Sequence, residues 1–418
     1  MSRSLKLAWA WPLACVALVG VLHGCGGGTQ TASNNSGVGS GGTGSYTNGP
    51  ISGLGSIIVN GVRYDVDSAT LISEDAASPA AADLQIGMVV EVDGGAVTPG
   101  TAGNTDTATA ARVRYASELV GEVVNPMGTP STTDFTVMGQ HVVINARTVP
   151  LTAPLQAGNV VAVHGLPTGT GEFAATRIEV LSSSAASYTA PYKISGVVVS
   201  PVNRAASTIS IGQGPQVVTF TGSLPPGVVV GSYVRVRVTA APLPTSDWTA
   251  LSGGIALRSQ LVSEERTGRL EGIIQNYGDG ALIPPNAGTL NGTTVDFTAV
   301  LGQLNQLAGG GLNPNPNGLH VEVEGQYRSG VLMATSIELD NDNLAGGAEL
   351  HGLVSSYAAG ALTFQLRGLT VEYAGASMDP GLVLGDNVCV EVKGTLLNNT
   401  RLRATEVKRE SGCKPPSP

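Results

Sequence analysis

Residues 388–394 alternate strictly: Val388, Val390 and Val392 fall on one face, Cys389, Glu391 and Lys393 on the other. A two-residue period is that of a strand with one buried face. The phrase recurs upstream. GLHVEVEG (318–325) sets Val321 and Val323 against His320, Glu322 and Glu324, and GMVVEVDG (87–94), GNVVAVHG (158–165) and GSYVRVRV (231–238) repeat the pattern. Each copy has companions. An upstream strand carries a glycine among aliphatics at Gly53, Gly121, Gly196, Gly272 and Gly352, spaced 68, 75, 76 and 80 residues apart. A second strand follows a turn glycine at Gly61, Gly139, Gly292 and Gly368; QVVTF (216–220) lacks it. A closing strand carries Ala-x-x-Val/Ile at Ala110/Val113, Ala175/Ile178, Ala334/Ile337 and Ala404/Val407, from which IALRSQLV (255–262) departs.

These patterns predict an all-β chain in which one small antiparallel unit of four or five strands occurs five times. The period is too long for a solenoid rung and suits a row of small domains. Units of about 70 residues lie near the lower limit for independent stability, so neighbours are expected to pack together. No long segment has a period of 3.6, and only LGQLNQL (301–307) predicts a short helix. Unit boundaries fall at 50–117, 118–190, 191–266, 267–344 and 345–413, with a tail at 414–418. The composition agrees: 57 Gly, 24 Pro and 13% charged residues suit short strands and many turns, and 4% aromatics leave the cores to Val, Ile and Leu.

The amino terminus adds a location. Arg3 and Lys6 precede an apolar run from Leu7 to Leu22 interrupted by Pro12, too short to span a bilayer. Leu22-His23-Gly24-Cys25 then resembles a bacterial lipobox. The expectation is a signal peptide over 1–24, acylation of Cys25, and a flexible Gly/Ser-rich tether over 25–49. Gly26, not Asp, follows the cysteine, so the resemblance implies the outer membrane, on its periplasmic side or at the cell surface, with the lipid bilayer as partner.

Net charge changes the picture only by exclusion. The formal value is −9, and removing residues 1–24 leaves 20 bases against 31 acids, or −11. No basic stripe is present to neutralise phosphates, so nucleic acid is not an expected partner.

Taken together, the Gly-led first strand, the GxxVxVxG strand and the Ala-x-x-Ile ending resemble the DUF5666 family of bacterial envelope proteins, from about Ile51 to Glu410. The resemblance implies small OB-like β-barrels, a class that commonly binds ligands on one sheet face.

Candidate chemistry is sparse. His141, His164, His320 and His351 occupy different repeat positions and form no HExxH or paired ligand spacing, so they are read as isolated surface or turn residues. Glu91, Ala162, Arg235, Glu322 and Glu391 occupy equivalent outward positions with every sign of charge, which reads as a solvated face. Asp340, Asp342 and Asn343 suggest calcium, but Leu344 and Ala345 break the EF-hand spacing, and a linker reading is preferred. Cys389 and Cys413 are the remaining cysteines, expected to form a disulfide in an oxidising compartment. Trp248, in the insertion LPTSDWTALSG (243–253), is a candidate ligand contact, with an exposed loop residue capping the core as the alternative. No catalytic residue, cofactor or metal is expected. The resulting expectation is a non-enzymatic envelope scaffold that binds a protein or polysaccharide. The alternative is a hydrolase acting on envelope polymers at one inter-unit site.

Overall fold

The computed structural model describes residues 44–413 apart from 102–104, 128–133, 170, 200–206, 212–215, 240–246, 259–261, 263–265, 279–284, 311–314, 341–343 and 345. The expected signal peptide, Cys25, most of the tether, Asp342, Asn343 and the 414–418 tail lie outside the described residues. Among the described residues, no helix is long and apolar enough to cross a membrane.

The fifth unit displays the common plan. Its first strand, Ala348–Leu353 continued by Ser355–Ala358, pairs antiparallel with Thr363–Leu366, which turns into Leu369–Glu372. That third strand runs parallel to the last, Arg401–Arg409. The last strand pairs antiparallel with Cys389–Asn398, which returns to the first. The order 1-2-3-5-4-1 closes a barrel with one parallel pair, the OB plan. The first unit (Ser45–Leu54, Ile57–Val59, Val62–Asp65, Val89–Gly94, Asp106–Tyr115) closes in the same order. So does the second (Leu119–Met127, Asp134–Val137, Gln140–Val143, Val160–Gly169, Glu172–Ser182). The third (Tyr192–Val197, Thr208–Ile211, Gln216–Thr219, Tyr233–Val238, Asp247–Leu257) and fourth (Thr267–Ile273, Ala287–Leu290, Thr293–Asp296, His320–Arg328, Val331–Leu339) join strands 1 and 2 through single bridges. The helix Leu301–Leu307 forms where its pattern predicts, between strands 3 and 4 of the fourth barrel.

The repeated glycines have a steric cause. Gly94, Gly165, Gly325 and Gly394 end the VxVxG phrase and stand opposite Ala110, Ala175, Ala334 and Ala404, each at a break in register. At Gly165, Gly325 and Gly394 an added Cβ would come within 2.2–2.4 Å of a carbonyl oxygen on the partner strand. These are the bulges at which each sheet bends to close. The first-strand glycine makes room for the turn residue between strands 2 and 3: Met138 over Gly121, Asn291 over Gly272 and Arg367 over Gly352. Those turn residues and the glycines that follow them both have positive φ, as a two-residue type I′ hairpin requires.

Pairing also corrects the first unit's frame. Gly49, not Gly53, stands opposite Val90, as Gly121 stands opposite Val161 and Gly272 opposite Val321. The strand therefore begins at Ser45, inside the stretch expected to be tether. Its polar residues are buried because it is flanked on both edges, by Glu91–Gly94 and by Thr267–Leu270.

The barrels do not form a row. The first strand of barrel 1 pairs parallel with those of barrels 4 and 5, at Ser45–Asn48 and Gly53–Leu54. Barrel 3 meets barrel 2 at Lys193 and Val120. Barrels 1 and 5 share one apolar core, and barrels 2 and 3 another. Val89, Leu166 and Ile273 join barrels 1, 2 and 4, and the described residues belong to one compact unit. Trp248 is a core residue, 3% exposed, on the last strand of barrel 3. It precedes Ala250 by two residues, as Phe173 precedes Ala175 and Leu402 precedes Ala404, so it points inward and is not a loop residue or surface contact.

Candidate functional site: charge buried between barrels

Alternation places Glu91, Lys193, Ser195, Arg235, Glu271 and His351 on the outer faces of first and fourth strands. Those faces are where one barrel lies against another, so all six are buried. The solvated-face reading fails for Glu91 and Arg235, and the surface reading fails for His164, His320 and His351. Period two tells which side of a strand a residue occupies, not whether a second barrel covers it.

The largest cluster joins barrels 1, 2 and 3. Glu118, fully buried, accepts from Arg235 Nη2 at 3.1 Å and Nε at 3.3 Å and from the Tyr233 hydroxyl at 3.2 Å. Arg258 Nη2 lies 3.2 Å from the same carboxylate, with its guanidinium 5.3 Å from the centre of the Tyr233 ring. Arg235 also reaches Glu74 of barrel 1 at 3.2 Å. Burial pushes the Glu118 carboxyl up, but Arg235 and Arg258 outweigh it and bring it down to about 2. Beside it, Lys193 bonds Asp75 and, at 3.3 Å, Ser117. Burial raises Asp75 too, and Lys193 more than offsets it. Arg177 of barrel 2 donates to the Ile86 carbonyl of barrel 1 at 3.2 Å.

Barrels 1 and 4 are clamped by amides. Asn291 of barrel 4 donates to Asn48 Oδ1 of barrel 1 at 2.8 Å. Asn60 of barrel 1 donates to the Arg269 carbonyl of barrel 4 at 3.4 Å, and its own carbonyl accepts from Arg269 Nη1 at 3.2 Å. At the junction of barrels 1 and 5, His351 bonds Glu410 at 2.9 Å and also Glu349, while Arg63 holds Glu410 at 2.8 Å and Lys393 holds Glu349 at 3.2 Å. Cys389 and Cys413 form a disulfide beside it, with Cα atoms 5.7 Å apart.

A last cluster differs from these. Glu271, His320 and Asp340 of barrel 4 meet Arg147 of barrel 2, with His320 Nε2 3.1 Å from Glu271 and Nδ1 3.3 Å from Asp340. Burial brings the imidazole down to about 4, against the opposing effect of Asp340, so it is neutral near pH 7.

Closed five-stranded barrels with a parallel third–fifth pair and, among the described residues, one short α-helix and no recurring polar set define a tandem OB-like protein. DUF5666, a domain of unknown function, matches residues 48–101, 123–179, 271–338 and 351–408. These segments cover more than half of the chain, which belongs to that family. Comparison with curated proteins gives no match. The matched segments are barrels 1, 2, 4 and 5. Barrel 3 keeps the strand order, but Val238 replaces the closing glycine, and Ala250 and Ile255 are separated by four residues instead of two.

Proposed function

We propose that the protein is a non-enzymatic envelope lipoprotein, anchored in the outer membrane through acylated Cys25. Its five barrels form a rigid platform that binds an envelope protein or polysaccharide. One observation carries this reading. Buried Glu118, Arg177, Lys193 and Arg235 are spent in joining barrels, and the junctions use different sets, so the duplication copied a scaffold and no reactive group. A polymer hydrolase would need two carboxylates held across a cleft open to its substrate. Glu271 and Asp340, which meet around His320, have side chains only 11% and 8% exposed, which closes them to a polymer chain.

The test has two parts. Labelled palmitate should enter the wild-type chain and not Cys25→Ser, and the variant should leave the outer-membrane fraction. Crosslinking in whole envelopes should then capture a protein or glycan on the wild type. Label on Cys25→Ser, or polymer cleavage by the purified chain, would overturn the proposal.

A further inference from the structure

The two carboxylate–histidine clusters are not equivalent. At the junction of barrels 1 and 5, His351 bonds a carboxylate through each nitrogen, and Arg63 and Lys393 neutralise those carboxylates. That cluster is complete. At the junction of barrels 4 and 2, the His320 side chain is 9% exposed and neither ring nitrogen has a hydrogen-bond partner among the described residues. The nitrogens face Glu271 and Asp340 at 3.1 and 3.3 Å without hydrogen-bond geometry, and buried polar groups left in that state call for an explanation.

We propose that Glu271, His320 and Asp340 bind one divalent transition-metal ion of the zinc type. One nitrogen of His320 and one oxygen from each carboxylate lie within 4.8 Å of one another. Ligands of a tetrahedral zinc, each at roughly 2.0–2.2 Å, stand about 3.3 Å apart. For whichever ring nitrogen holds the ion, its separation from the facing carboxylate, 3.1 Å for Nε2 and Glu271 or 3.3 Å for Nδ1 and Asp340, matches that edge, and the other carboxylate stands within the 4.8 Å bound. A mixed nitrogen and carboxylate donor set suits zinc and its neighbours better than calcium or magnesium. Charge favours a cation as well. Glu322 lies opposite Glu271 in the sheet and Glu338 opposite Glu322, while Arg269 is engaged by Glu324. Arg147 is set against the cluster, with Nε 3.6 Å from Asp340 Oδ2. The three ligands come from the first strand, the fourth strand and the end of the fifth, so they converge only when barrel 4 is closed and barrel 2 is docked.

The experiment uses the full mature chain, stripped with chelator and titrated with zinc chloride alone by calorimetry, with metal content measured after desalting. One equivalent should bind. His320→Gln should weaken that event by more than the roughly 10- to 100-fold that loss of an orienting partner costs. Asp340→Asn should weaken it too, and Arg147→Gln should tighten it by removing a competing charge. The Arg147 variant covers the case in which His320→Gln misfolds, because a purely structural ion pair would give no gain in zinc affinity. Cobalt should show tetrahedral ligand-field absorption that His320→Gln loses and His141→Gln keeps. No retained zinc in the wild type, equal affinity in His320→Gln, or a site abolished by His141→Gln would overturn the proposal.

Discussion

Replacing Glu118 by Gln removes one negative charge from a site where Arg235 and Arg258 are 4% and 3% exposed. The shape of the side chain is kept, but two guanidiniums are left buried without their shared counter-charge. Breaking a buried pair in this way costs about 3–5 kcal/mol. Titration gives an independent figure. The Glu118 carboxyl falls from an ordinary 4.5 to about 2 on folding. At about 1.36 kcal/mol per pH unit, this corresponds to about 3 kcal/mol. The direction is that of a depressed acid: the stabilisation is complete above pH 4.5 and is lost as pH falls through about 2. Trp248, in the core that barrels 2 and 3 share, reports the unfolding of that pair by fluorescence. Urea unfolding at pH 7 should place Glu118→Gln about 3 kcal/mol below wild type, and the two curves should converge near pH 2. A loss under about 1 kcal/mol at pH 7, or the same gap at both pH values, would refute the idea that this carboxylate locks the two barrels.

Three further outcomes are expected. Cys413→Ser opens a disulfide spanning 24 residues and should cost barrel 5 about 3 kcal/mol, read from its urea midpoint with and without reductant. Gly394→Ala places a Cβ about 2.3 Å from the Arg403 carbonyl oxygen and should cost about 1–3 kcal/mol, whereas Gly360→Ala, with nothing within 4 Å, should stay within about 0.5 kcal/mol. His351 is lowered by burial, but its bonds to Glu349 and Glu410 prevail and raise it above 6.5. Its contribution is therefore full below pH 6.5 and is lost as pH rises past the raised value, so His351→Gln should destabilise the protein at pH 6 and match wild type at pH 9. An NMR titration of the ring gives the same check directly.

How far the sequence carried can be judged from single positions. Val390, Val392, Val321 and Val323 are all fully buried, as alternation required, because the inner face of a barrel is set within one repeat. The closing glycines and alanines were equally plain, since a bulge leaves a fixed spacing behind it. The frame of barrel 1 was not. Gly53 and Gly49 both sit among residues that suit a strand, and only the partner strand, about 40 residues on, decides between them. Trp248 was misplaced for a related reason. Two extra residues in the bulge of barrel 3 hid Ala250, and without that alanine the tryptophan could not be aligned with Phe173.

The charged residues fell outside reach on different grounds. Arg235 and Glu391 occupy the same place in their repeats, yet Arg235 is 4% exposed while the Glu391 side chain is 23% exposed. Nothing local separates them. What differs is whether another barrel lies alongside, and that depends on contacts such as Ser45 with Thr267, 222 positions apart. A repeat copies what each unit needs in order to close, so its signal is strong where the barrel is self-sufficient. It is silent where barrels meet, because each interface is met once and can be solved with different residues. The histidines follow from this: a shared active site would have put them in register, whereas three distinct junctions had no reason to. The buried charges therefore had to be sought at the seams between copies.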